Sequence, residues 1–187
     1  RGLGDVYKRQ GVDDEKIFPI GLPRTDLMLD DSKRQKMQER FFEQYPDLRE
    51  KKITLYAPTF RDSQVENPEI CLDFDSLNQC MEENEVLLIR LHPHVAEHCP
   101  VGIWDMYPDK IRNVSDYPGV ATLLSVADQL ITDYSSIIYE YCLLERKMIF
   151  YAYDYEVFQK DGRNFYEDYE KFVPGMIVYT LSLIHIS

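Results

Sequence analysis

The chain has 187 residues, 44% hydrophobic and 29% charged, enough to bury one core or to serve as one lobe of a larger two-lobed protein. Its formal net charge of −12 argues against a general nucleic-acid binder, which needs a basic face to displace phosphate counterions, but leaves room for one small phosphate pocket built from arginines and helix ends. No stretch approaches the roughly 20 apolar residues that span a bilayer, and the start lacks the basic, apolar, small-residue order of a signal peptide, so no membrane insertion is expected.

In chain order, "GLGDVYKRQ" at the start and "LSLIHIS" at the finish resemble translated adapter sequence left at the ends of reading frames from assembled environmental reads. Residues 1–10 and 181–187 are therefore set aside as artefact, leaving 11–180 as one unit of a natural protein expected to continue beyond both ends. The other reading of "IVYTLSLIHIS" is a real strand, since its apolar residues partly alternate. "GLPRTD" (21–26) reads as a turn with a local ion pair between Arg24 and Asp26. Over 32–45, Met37, Phe41 and Tyr45 recur every four residues among charged and amide side chains, predicting an amphipathic helix. A weaker helical pattern covers 73–84. In "YPGVATLLSVAD" (117–128), Pro118 falls where a first helical turn tolerates it, with Leu123, Leu124 and Ala127 on one side. Residues 136–145 place Ile137, Tyr141 and Leu144 on one stripe.

Between these lie short apolar runs at 53–58, 86–91, 111–114, 129–132 and 148–153, rich in branched and aromatic residues and suited to strands buried on both faces. Strands alternating with helices imply a doubly wound parallel α/β sheet, whose ligands bind outside the carboxyl ends of the strands. The segment 152–176, rich in Tyr, Asp and Phe but without periodicity, reads as a long ordered loop or lid. The four cysteines, Cys71, Cys80, Cys99 and Cys142, form no CxxC pair and suggest reduced thiols in a cytosolic protein.

Three strand-end loops carry chemistry. "APTFRD" offers Thr59 and Arg61, "RLHPHV" offers Arg90, His92 and His94, and "TDYSS" offers Asp133, Ser135 and Ser136. Arginines, histidine and hydroxyls together suit phosphate oxygens. Small residues at a helix start let an anion reach unpaired N–H groups, although Asp133 or Ser135 could equally be a plain N-cap. The arginines could be ordinary surface cations, and His92 and His94 could be edge residues of a strand that Pro93 ends. As a metal site the histidines are weak, with only His98 nearby and no suitably spaced carboxylate; beside phosphates, a histidine can supply a proton or a positive charge.

Taken in order, "GLPRTD", "LYAPTFRD", "LIRLHPH", "LLSVADQLITDYSSIIYEYCLLERKMIFYAYDYE" and "GRNFYEDYEKFVPG" resemble the carboxy-terminal half of the CDP-glycerol glycerophosphotransferase family, the teichoic-acid primases and polymerases of Gram-positive bacteria, over about residues 17–178. The resemblance implies the nucleotide-binding lobe of a GT-B transferase. It implies transfer of glycerol phosphate from CDP-glycerol, or ribitol phosphate from CDP-ribitol, to a teichoic acid polymer or lipid-linked acceptor, with CMP released. It further implies no metal or cofactor, and peripheral work at the cytoplasmic face of the plasma membrane, reached through regions outside this chain. By the same resemblance His92 contacts the donor diphosphate and assists the departing CMP, and Ser135 and Ser136 hold that diphosphate. Thr59 and Arg61 fall on a Pro-Thr-aromatic-Arg motif, and Arg90 is a further phosphate contact. The acceptor-side base belongs to the preceding lobe, so this chain alone is expected to bind donor poorly and turn over negligibly. The sequence departs from the family pattern at Phe60, Glu140, Lys147 and Asn164. A GT-B transferase using a nucleotide sugar and a non-catalytic polyanion-binding or partner-binding lobe are the competing readings.

Overall fold

The computed structural model describes residues 11, 13–16, 18, 23–61, 70–98, 106–160 and 168–181. The segments set aside at the ends lie outside the described residues, apart from Leu181, as do Cys99 and all of "GRNFY".

Six parallel strands form one sheet in the order β3-β2-β1-β4-β5-β6. Five of them fall on the apolar runs: β1 Lys52–Tyr56, β2 Glu85–Ile89, β3 Ile111–Asn113, β4 Gln129–Thr132 and β5 Lys147–Tyr151. Side chains alternate between faces, so unbroken apolar runs give the sheet two buried sides. Ile53, Leu55, Val86, Leu88, Leu130, Met148 and Phe150 enter one core, while Tyr56, Leu87, Ile89, Ile131, Ile149 and Tyr151 enter the other. The doubly wound parallel fold expected from the sequence is the one observed.

The first core is covered by α2 (Asp31–Gln44), α5 (Val120–Val126) and α6 (Ile138–Tyr141), through Phe41, Leu123, Leu124, Ile138 and Tyr141. The Asp30 carboxylate caps α2, accepting from Ser32 N at 3.0 Å and Lys33 N at 3.1 Å. The second core is covered more thinly, by α3 (Phe74–Cys80) through Phe74 and Leu77 and by α4 (Pro93–Ala96) through Val95.

Several expectations shift. Pro118 is not within the first turn of α5; it precedes the N-cap Gly119, whose φ of 95° suits a residue without Cβ. The 136–145 pattern splits into the four residues of α6 and a 3-10 turn, Cys142–Leu144. The 152–176 stretch is not all loop, since it contains α7 (Tyr155–Lys160) and α8 (Tyr169–Phe172). A sixth strand, β6 Met176–Val178, joins the edge beside β5. Gly175 opens that strand because a Cβ there would stand 2.4 Å from Met148 O. Arg24 does not pair with Asp26; α1 (Asp26–Leu29) begins at that acid, and the Arg24 guanidinium reaches the buried Glu140 carboxylate instead.

Candidate functional site

The strand order reverses between β1 and β4, and the crevice beyond their carboxyl ends is where doubly wound sheets hold ligands. The two strand ends are tied together there. Thr132 Oγ1 donates to Ala57 O at 2.7 Å, and Asp133 Oδ1 accepts from Thr59 N at 2.8 Å and from Tyr134 N at 2.6 Å. Asp133 is therefore not the cap of α6, whose N-cap is Ile137. Ser135 Oγ accepts from Ile137 N at a long 3.5 Å, so the capping reading of "TDYSS" retains one weak bond from the first serine.

A cavity of about 470 Å³ opens over this junction, and Thr59, Arg90, His92, Ser135 and Ser136 all line it. Five of the six residues read from the sequence as donor contacts thus meet in one place, brought together from three loops. Ser136 is exposed and Ser135 half-buried, leaving both hydroxyls at the pocket surface. Thr59 Oγ1 is buried with no hydrogen-bond partner.

Arg90 follows the end of β2, its backbone N donating to Tyr56 O at 2.9 Å and its Nη1 to Tyr117 O at 2.8 Å. Burial lowers its pKa, yet an arginine stays charged, and among the described residues no carboxylate pairs with it. Its charge is available to an anion in the cavity. His92 is not an edge-strand residue: β2 has already ended, and His92 is the exposed N-cap of α4, with Pro93 at the first helical position. Its ring lies against Phe60, centroids 4.7 Å apart.

Arg61 occupies a different place. It is only 8% exposed and turns away from the cavity, with Nε donating to Asp154 Oδ2 at 2.8 Å, Nη2 to Asp133 Oδ2 at 2.8 Å and to Asp154 Oδ1 at 3.0 Å, and Nη1 to Thr59 O. Burial works against its charge, but the bonds to Asp154 and the attraction of Asp133 outweigh that and hold its pKa above the ordinary arginine value. Sequence reasoning missed Asp154 and Tyr134; their partners lie far away in sequence, and no local signal marks them. Tyr134 donates its hydroxyl to Asp154 Oδ1 at 3.1 Å and stacks on Phe158 at 4.0 Å, and its pKa is raised by burial and by Asp154.

At the opposite end of the sheet a cavity of about 310 Å³ lies between α3 and the starts of β1, β4 and β5. It shares none of these residues. Among the described residues no group of three or more His, Cys, Asp and Glu could hold a metal ion, and no helix is long and apolar enough to cross a membrane.

A doubly wound sheet with a hydroxyl-lined and arginine-lined crevice at its switch point has side chains whose chemistry suits phosphate oxygens. The chain belongs to the family described as CDP-Glycerol:Poly(glycerophosphate) glycerophosphotransferase, which it matches over residues 6–185. It is 38% identical to the teichoic acid poly(ribitol-phosphate) polymerase of Bacillus spizizenii, over 91% of this chain and 28% of that protein. It is 37% identical to a teichoic acid ribitol-phosphate polymerase of Staphylococcus aureus, over 93% of this chain and 31% of that protein. Its structure superposes on a wall teichoic acid polymerase, TagF, in a variant soaked with CDPG, with a TM-score of 0.83 and 29% identity over 98% of this chain and 45% of that one. The chain thus spans less than half the length of the relatives it matches.

Proposed function

We propose that this chain is the nucleotide-binding lobe of an enzyme that transfers glycerol phosphate from CDP-glycerol to a hydroxyl of a teichoic acid polymer or lipid-linked acceptor, releasing CMP. The observation that carries the reading is the convergence of Thr59, Arg90, His92, Ser135 and Ser136 on one cavity at the switch point.

In this mechanism the acceptor oxygen attacks the donor phosphorus next to glycerol, a new P–O bond forms, and the P–O bond to CMP breaks. Charge spreads over phosphate oxygens, so catalysis rests on positioning and electrostatic stabilisation. The Arg90 guanidinium, which has no carboxylate partner among the described residues, supplies positive charge. The two serine hydroxyls donate to the diphosphate, and His92, which lines the same cavity, stabilises or protonates the departing CMP oxygen. The base that takes the acceptor proton lies in the preceding lobe. We also propose peripheral action at the cytoplasmic face of the plasma membrane, where a lipid-linked acceptor would meet a soluble nucleotide donor.

A second donor, CDP-ribitol, is favoured by one observation. Four ribitol-phosphate relatives are 36–38% identical to this chain, against 30–32% for four glycerol-phosphate relatives.

The test is nucleotide release by the full-length protein: CMP from CDP-glycerol or CDP-ribitol, and UDP from UDP-sugars offered as competing donors. Arg90→Ala removes charge-assisted bonds and should weaken donor binding by about 10-fold to 100-fold. Turnover of UDP-sugars in place of both CDP-polyols, or unchanged donor affinity in Arg90→Ala, would overturn the proposal.

A further inference from the structure

Arg61 shares its loop with Thr59 and Phe60, which line the cavity, yet its bonding leaves little for a phosphate. Four N–H bonds already reach Asp154, Asp133 and the Thr59 carbonyl. Its Cζ sits 5.1 Å from the Phe158 ring centre, 5.2 Å from that of Tyr134 and 5.8 Å from that of Tyr153, so aromatic faces close over the rest. One cation against two carboxylates also leaves the cluster with a net negative charge, which repels a diphosphate rather than attracting it.

The three partners come from three different strand-end loops. Thr59 follows β1, Asp133 follows β4 and Asp154 follows β5. Asp133 uses its second oxygen to hold the backbone N–H groups of Thr59 and Tyr134, which flank the hydroxyl-bearing wall of the cavity. Tyr134, immediately before Ser135, is gripped from the far side by Asp154 and Phe158. We infer that Arg61, Asp133, Asp154 and Tyr134 form a positioning cluster that locks the β1, β4 and β5 loops together and so aims Thr59, Ser135 and Ser136 at the donor phosphates. This rests on the phosphate-donor reading of the cavity and assigns Arg61 to the frame of the site rather than to its contacts.

Lysine in place of Arg61 keeps the charge but cannot hold two carboxylates and a carbonyl in one plane. A direct phosphate contact would tolerate that change in part, and would gain from Asp154→Asn, which removes a nearby negative charge. A positioning cluster loses in both cases.

The experiment uses the full-length protein, with kcat and KM for CDP-glycerol and CDP-ribitol measured well below the Tm of each variant. Arg61→Lys and Asp154→Asn should each lower kcat/KM by up to about 100-fold, the loss a small misplacement can cause. Tyr134→Phe removes one hydroxyl bond and leaves the rings in place, so it should fold normally and lose about 3-fold to 10-fold. Amide hydrogen exchange gives a readout independent of turnover. Asp154→Asn should speed exchange at the Thr59 and Tyr134 N–H groups, although Asp154 touches neither.

Higher kcat/KM in Asp154→Asn, or near-normal turnover in Arg61→Lys, would return Arg61 to phosphate binding. Lower Tm with unchanged kcat/KM and unchanged Thr59 and Tyr134 exchange would reduce the cluster to a stability element. A wild type that consumes neither CDP-polyol would sink the functional reading instead, while the exchange measurement would still decide whether the loops are coupled.

Discussion

Thr132→Val tests how tightly the floor of the cavity is held. The two side chains have nearly the same shape, so the substitution deletes one hydrogen bond and little else. Thr132 is fully buried, and its hydroxyl donates to Ala57 O at 2.7 Å, with no second side-chain donor to that carbonyl among the described residues. Valine leaves the carbonyl short of a partner in a buried site, which costs about 1–3 kcal/mol. For a chain of this size about 2 kcal/mol corresponds to a fall in Tm of about 4–8 °C. Tyr141→Phe is the matched control. It also removes a buried hydroxyl, bonded to Ala127 O at 3.1 Å, but that carbonyl keeps Arg146 Nη1 at 2.6 Å. Its loss should stay below about 1 kcal/mol. Urea unfolding of both variants should show lower midpoints at unchanged m, with Thr132→Val clearly the lower. A Thr132→Val midpoint equal to wild type, or a Tyr141→Phe midpoint below that of Thr132→Val, would refute the reasoning.

Two further predictions concern the frame around the site. Gly175→Ala forces a Cβ to 2.4 Å from Met148 O and 3.0 Å from Phe150 Cε2, so β6 must move away from β5 at a cost of about 1–3 kcal/mol; thermal unfolding should show it, and an unchanged Tm would contradict the close approach. Asp30 accepts from the Ser32 hydroxyl and the Lys33 N–H and pairs with the Lys33 ammonium, which together hold its pKa at about 2, against the ordinary 3.8. The pKa is depressed in the folded state, so the capping contribution is complete above about 3.8 and is lost as pH falls through about 2. A carboxyl NMR titration of Asp30 should show a midpoint near 2, moving upward in Ser32→Ala, and a wild-type midpoint near 3.8 would rule out the cap.

The sheet was legible because burial on both faces demands unbroken apolar runs, and five such runs carry five strands. β6 entered the sequence reading only through the alternative strand at "IVYTLSLIHIS", because three residues at a sheet edge, with Met176 exposed and Ile177 half-buried, leave too short a pattern. At the site, residue types at strand ends pointed to Thr59, Arg90, His92, Ser135 and Ser136, and these line one cavity. Arg61 was legible as a cation but not as a neutralised one. Its partners Asp133 and Asp154 lie 72 and 93 residues away, and no spacing rule links them. Asp133 shows the same limit: an acid before a helix looks like a cap, while in the fold it binds the neighbouring loop. Arg24 likewise passes over Asp26, two residues away, for Glu140 on the far side of the chain.

The strand order carries a consequence for how the molecule assembles. Strands β1, β2 and β3 form one contiguous half of the chain and β4, β5 and β6 the other, and the cavity straddles the seam between them. Neither half can build it alone, because its walls join only when β4 pairs with β1. That pairing closes a loop of about 75 residues, as the span from Ala57 to Thr132 shows, which places it among the slower contacts to form. The cavity therefore exists only once this long-range pairing has formed. Chains halted with only one half in place would lack both the cavity and the shared core, since each core cluster draws on residues of both halves.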